Sequence, residues 1–267
     1  MPLVLAFHGH LGNGAVLRRA SGLDDAADAL GVAVAYPDGT GVLGWAGLSW
    51  HADRDCCDPA RARRVDDVAF ARALVTTLGA VPLVDTSRVA ALGFSAGGTL
   101  ALRLACERVP VVRAAADVAG TMPYEPCAPG RPTSVLLVQG GADDELRGEL
   151  RALRLVRAPR RTHSLEDAMR FWAVRAGCSP TWHARDSSAA EVRERAELCP
   201  AGRAVELHTV ADNPHAWPGG RRPWLLAPRP APQVDAARHV LEFFERTAWP
   251  GAAAFARAYA DSVSAAR

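Results

Sequence analysis

Gly93-Phe94-Ser95-Ala96-Gly97 sets a serine between glycines. An apolar run, Val89 to Leu92, leads into it. A segment with Leu100 and Leu104 at helical spacing, beside the small Ala101 and Ala105, leads out. In that context G-x-S-x-G reads as a nucleophile elbow, a strand turning straight into a helix so that the Ser95 hydroxyl stands above the sheet edge. A Cβ at Gly93 or Gly97 would collide with neighbouring chain. The turn leaves the Ala96 N–H at a helix N-terminus, where developing negative charge is stabilised. The implied chemistry is acyl transfer through serine; the bland alternative is a glycine turn with an incidental serine.

A serine nucleophile needs a base to take its proton and an acid to hold that base. In the chain order Ser, acid, His, both partners should follow strands. Val135 to Gln139 leads into Gly140-Gly141-Ala142-Asp143-Asp144, and Val205 to Val210 leads into Ala211-Asp212-Asn213-Pro214-His215. Both loops fall at carboxyl ends of strands, where open α/β sheets place their sites. His215 is the expected base and Asp143 the expected acid. Asp144 is the rival acid, one residue of loop shift away, and Asp212 a distant third. His163, His183, His208 and His239 read as surface or core residues, and His8 and His10 lie on the oxyanion side. The second oxyanion donor is expected from the glycine-rich loop after the first strand, at the His10 N–H, with Leu11 as alternative. This chemistry requires no cofactor and no metal.

The elements that must position these residues follow from hydrophobic pattern. Leu3 to Phe7 is a continuous apolar run, the pattern of a strand buried on both faces, and Val32 to Tyr36, Ala114 to Val118 and the two segments just named are the further strands. Helices are expected over Leu17 to Leu30, from Asp66 or Asp67 to Leu78, from an N-cap at Ser164 to Ala176, and over Ala236 to Arg246. Strands alternating with helices indicate an α/β fold, a mostly parallel sheet with helices on both faces. Residues 1–250 read as one catalytic domain. Residues 251–267 read as a tail, with Phe255, Tyr259 and Val263 on one helical face. Thr40 to Arg63 has no periodicity, and loops of that length are usually functional.

The 267 residues suffice for a substantial core, and the net charge of +2 argues against nucleic acid or a membrane surface as partner. Positive charge is carried by arginine without any lysine. No apolar run approaches a membrane span. The six cysteines contain no C-x-x-C pair, which disfavours a zinc site of that kind. Their even number suggests disulfides and an oxidising compartment. Cys178 with Cys199 is the expected bridge, stapling a polar, irregular segment between a helix and a strand. A monomer is expected.

The chain resembles the polyhydroxybutyrate depolymerase and feruloyl esterase family of α/β-hydrolases, the secreted LpqC-like esterases. The resemblance rests on Leu5-Ala6-Phe7-His8-Gly9, Tyr36-Pro37-Asp38-Gly39, Ser49-Trp50-His51-Ala52 followed by Cys56-Cys57, Val65-Asp66-Asp67-Val68-Ala69-Phe70, Gly93 to Gly98, and His215-Ala216-Trp217-Pro218-Gly219. It implies an α/β-hydrolase fold and a serine esterase with Ser95, Asp143 and His215 as triad. It also implies Trp217 and Trp50 near the substrate and an extracellular location. Peptidase, acyltransferase or a non-catalytic binding protein are the alternatives. The sequence departs from the family at Gln139-Gly140-Gly141, at Asp144 to Arg147 and at Asn213-Pro214. The family carries a signal peptide and a further strand pair upstream. The expectation is therefore a start lying before Met1, with Leu3 to Phe7 left lacking a neighbour; a shortened cytoplasmic protein is the alternative.

Overall fold

The computed structural model describes residues 1–44, 46–52, 57–107, 112–120, 131–143 and 164–251. Eight strands form one sheet. They are β1 (Pro2–Phe7), β2 (Ala33–Ala35), β3 (Asp85–Phe94), β4 (Ala114–Val118), β5 (Ser134–Gly140), β6 (Trp182–Ser187), β7 (Glu191–Ala196) and β8 (Val205–Val210). Their order is β2-β1-β3-β4-β5-β8-β7-β6. The pairs from β2 through to β8 are parallel, whereas β7 runs antiparallel to both β8 and β6.

Six helices lie among the described residues: α1 (Gly14–Ser21), α2 (Leu23–Leu30), α3 (Asp67–Leu78), α4 (Ala96–Cys106), α5 (Leu165–Ala176) and α6 (Ala236–Thr247). Successive strand residues feed opposite cores. Leu3, Leu5 and Phe7 of β1 join Val68, Leu100 and Trp172 on one face. Val4 and Ala6 join Leu17, Leu23 and Phe243 on the other. With both faces covered, β1 and most of β5 have no solvent side, so they read as apolar runs.

Three expectations are corrected. β1 has neighbours on both sides, β2 and β3, so Leu3 to Phe7 is an inner strand and does not lack a partner. The helix expected over Leu17 to Leu30 is two, broken where Gly22 takes φ 67°, a left-handed conformation open to glycine. The stretch read as irregular after Cys178 contains the β6–β7 hairpin. Its alternation is masked because β6 is almost wholly exposed and both strands are rich in charge. The Cys178–Cys199 disulfide is present, with Cα atoms 4.0 Å apart, and closes the base of this hairpin.

Cys57 and Cys106 are also disulfide-bonded, and no described cysteine is free. Asp66 caps α3 by accepting from the Ala69 N–H, and Ser164 with Asp167 forms a capping box on α5. No described helix is long and apolar enough to cross a membrane. Asp144, His163, and Phe255, Tyr259 and Val263 of the tail lie outside the described residues.

Candidate active site

β3 runs directly into α4, and Ser95 between them takes φ 54° and ψ −122°. A non-glycine residue held there is strained, and such strain collects at functional turns. The glycines explain themselves by distance. A Cβ on Gly93 would stand 2.1 Å from the Gly97 carbonyl carbon, and one on Gly97 would stand 2.1 Å from the Phe7 oxygen. The Ser95 N–H donates to Val118 O at 2.8 Å, tying the turn to β4.

Three residues from three strand ends meet here. His215 Nε2 lies 3.0 Å from Ser95 Oγ, and His215 Nδ1 lies 2.8 Å from Asp143 Oδ2. The carboxylate can only accept, so Nδ1–H donates to it and Nε2 is left to accept from the Ser95 hydroxyl. Asp143 is fully buried and the His215 side chain 17% exposed. Phe94 packs its ring 5.1 Å from the imidazole.

The acid and histidine loops are stitched together. Gly141 N–H donates to Val210 O at 2.7 Å and Ala142 N–H to Asn213 O at 3.1 Å. A Cβ on Gly140 would meet Asn213 O at 2.2 Å, so the backbone passes where any other residue would block it.

The loop after β1 comes up beside the serine: a Cβ on Gly9 would stand 3.4 Å from Ser95 Cβ. His8 is buried and anchors this loop. Its Nδ1–H donates to Gly9 O at 2.8 Å and its Nε2 accepts from Gly39 N–H at 3.0 Å. Burial lowers its pKa, in keeping with this neutral form. Trp50 Nε1–H donates to His8 O at 2.9 Å. Leu11 N–H is already bonded to Leu48 O, so the alternative oxyanion donor is spent.

Trp50 and Trp217 are 0% and 3% exposed. Trp50 packs against Phe7, and Trp217 lies in the core beside α6.

Two residues here were missed. Asn213, fully buried, donates from Nδ2 to Pro214 O and Ala216 O, both at 2.8 Å, and accepts from Ala231 N–H at 2.9 Å. These bonds bracket His215. Asp117 sits in β4 under the elbow; a Cβ on Gly98 would be 1.9 Å from its Oδ1. Burial pushes its pKa up to about 7, and Gln139 Nε2–H donates to its Oδ2 at 3.3 Å. The available signal was a carboxyl inside an otherwise apolar strand, which the run Ala114 to Val118 concealed.

The architecture is that of the α/β-hydrolases. The acetyl xylan esterase from Aspergillus awamori superposes with a TM-score of 0.57 at 12% identity, covering 92% of this chain and 89% of that one. No family model matches the chain. The protein described as "Putative esterase NocK" from Nocardia uniformis subsp. tsuyamanensis is 34% identical over 241 residues, covering 85% of this chain and 68% of that protein. "Feruloyl esterase B" from Piromyces equi is 28% identical over 229 residues, covering 84% of this chain and 41% of that protein. This chain belongs to the esterase family of the Nocardia protein.

Proposed function

We propose that the protein is a serine carboxylic-ester hydrolase. Ser95 Oγ attacks the ester carbonyl while His215 Nε2 takes its proton. Asp143 fixes the imidazole's orientation and stabilises the imidazolium. The Ala96 and His10 N–H groups hold the oxyanion of the tetrahedral intermediate. The imidazolium protonates the departing alkoxide, leaving an acyl-enzyme. Water, deprotonated by His215, then releases the acid and restores Ser95. The observation that carries this reading is the Ser95–His215–Asp143 row, at 3.0 and 2.8 Å.

Polyester or plant-cell-wall-type esters are the proposed substrates, the latter in line with the feruloyl and acetyl xylan esterases it is similar to. The disulfides favour an oxidising, extracellular setting.

The test is kinetic. Ser95→Ala and His215→Ala each lower ester turnover by roughly 10⁴-fold or more, and the double variant is hardly worse, because the pair acts as a unit. Asp143→Asn is far more damaging than Asp144→Asn. Multiplicative losses in the double variant, or the reverse order of the two aspartates, would refute the assignment. Feruloyl, acetyl-xylan, polyhydroxybutyrate and peptide substrates assayed side by side identify the class.

A further inference from the structure

On the flank of the sheet formed by β7, β8 and α6, a second constellation converges. Glu191 opens β7, His208 lies within β8 and His239 within α6. Glu191 Oε1 stands 3.4 Å from His208 Nδ1 and 3.3 Å from His239 Nδ1. All three atoms lie within 4.8 Å of one another. Each is sealed from solvent and none has a hydrogen-bond partner. Glu191 and His208 are 7% and 5% exposed. Polar atoms so deeply buried are ordinarily hydrogen-bonded, whereas these three meet only as ion pairs at 3.3–3.4 Å, a cluster that an ion among them would satisfy.

The spacing names its size. An ion bound at about 2.0–2.1 Å in tetrahedral geometry holds its ligand atoms about 3.3–3.4 Å apart. The two ion-pair distances match that edge, and the two histidine nitrogens, within 4.8 Å of each other, close to it as the ion binds. Two imidazole nitrogens and one carboxylate oxygen suit zinc-class ions, whereas calcium and magnesium prefer oxygen alone. His208 Nε2 faces Glu206 Oε2 at 3.5 Å, the carboxylate–histidine arrangement that orients a metal-binding imidazole. A cavity of ≈ 250 Å³, bordered by His208, His239, Glu206 and Arg193, leads to the place.

We infer that Glu191, His208 and His239 bind one divalent ion of the zinc class. The ion ties the hairpin and α6 to β8, the strand that leads into the His215 loop. Its role is to brace that corner, and the ester chemistry at Ser95 does not pass through it.

One contact opposes binding. Arg193 donates from Nε to Glu191 Oε2 at 2.7 Å, and its Nη2 lies 2.8 Å from His239 Nε2. An ion on His239 Nδ1 leaves the ring proton on Nε2, facing another donor. Arg193 must then swing its Nη2 away, so Arg193 competes with the metal.

The test uses untagged full-length protein, stripped by a chelator and titrated with Co²⁺ and then Zn²⁺. The expected result is one Co²⁺ per chain with the visible absorption of a tetrahedral site, displaced by Zn²⁺. Zn²⁺ also raises the melting temperature. His208→Asn and His239→Gln each weaken binding by at least about tenfold, and Arg193→Gln tightens it. His183→Gln, on the exposed hairpin strand, leaves it unchanged. Circular dichroism checks that the variants are folded; His239 is only part-buried, which makes its replacement the gentler of the two. Failure to take up stoichiometric Co²⁺, or binding insensitive to both histidine variants, would overturn the site and leave a buried ion-pair network in its place.

Discussion

Asn213→Ala removes a side chain that touches no reacting atom, yet it is predicted to cripple the site. The asparagine is fully buried and makes three bonds, two to the carbonyls of Pro214 and Ala216 at 2.8 Å and one from Ala231 N–H at 2.9 Å. At roughly 1 kcal/mol net for each bond, the loss is about 3 kcal/mol, and the stranded buried backbone groups add to it. Because Pro214 and Ala216 flank His215, much of that cost falls on the loop that holds the imidazole against Ser95. An alignment penalty of 1.4–2.8 kcal/mol would lower kcat about 10- to 100-fold. Asn213→Asp keeps the acceptor for Ala231 but turns a carboxylate against two carbonyls, so it is predicted to be worse than alanine. The assays are kcat on a short-chain nitrophenyl ester and the urea midpoint of the same samples. A variant within about twofold of the parent in kcat and unchanged in midpoint would refute the reasoning.

Asp117 supplies a pH-dependent prediction. Its folded pKa, pushed by burial to about 7, lies above the ordinary carboxyl value of 3.8. The folded state therefore holds its proton longer than the unfolded state does, and stability declines as pH rises from about 4 to about 7. The decline is at most on the order of 4 kcal/mol. Asp117→Asn flattens it, read as the difference in melting temperature between pH 5 and pH 8; an equal slope in both proteins refutes the assignment. The Cys178→Ser, Cys199→Ser double variant opens a bridge of sequence separation 21 and loses about 3 kcal/mol in urea unfolding. An unchanged midpoint would mean the bridge does not constrain the unfolded chain.

Where burial was complete, the sequence spoke clearly. β1 and β5 match their apolar runs because both faces are covered, and α5 starts at the capping box that Ser164 and Asp167 announce. The elbow was legible because close packing leaves room only for glycine at positions 93 and 97. The β6–β7 hairpin was illegible because, on the outer edge, its pairing is backbone-driven and its side chains are polar. The Glu191, His208 and His239 cluster gave no signal, because its members come from distant segments and only tertiary packing brings them together, as it brings Ala231 to Asn213.

The central claim is that Ser95 is a nucleophile activated by His215, and covalent labelling tests it most directly. The folded protein is treated with a fluorophosphonate, and the adduct is located by intact and peptide mass spectrometry. The account predicts one adduct per chain, on Ser95, abolished in Ser95→Ala and much slower in His215→Ala. An unlabelled Ser95 in protein that still hydrolyses esters, or an adduct on another residue, would contradict it.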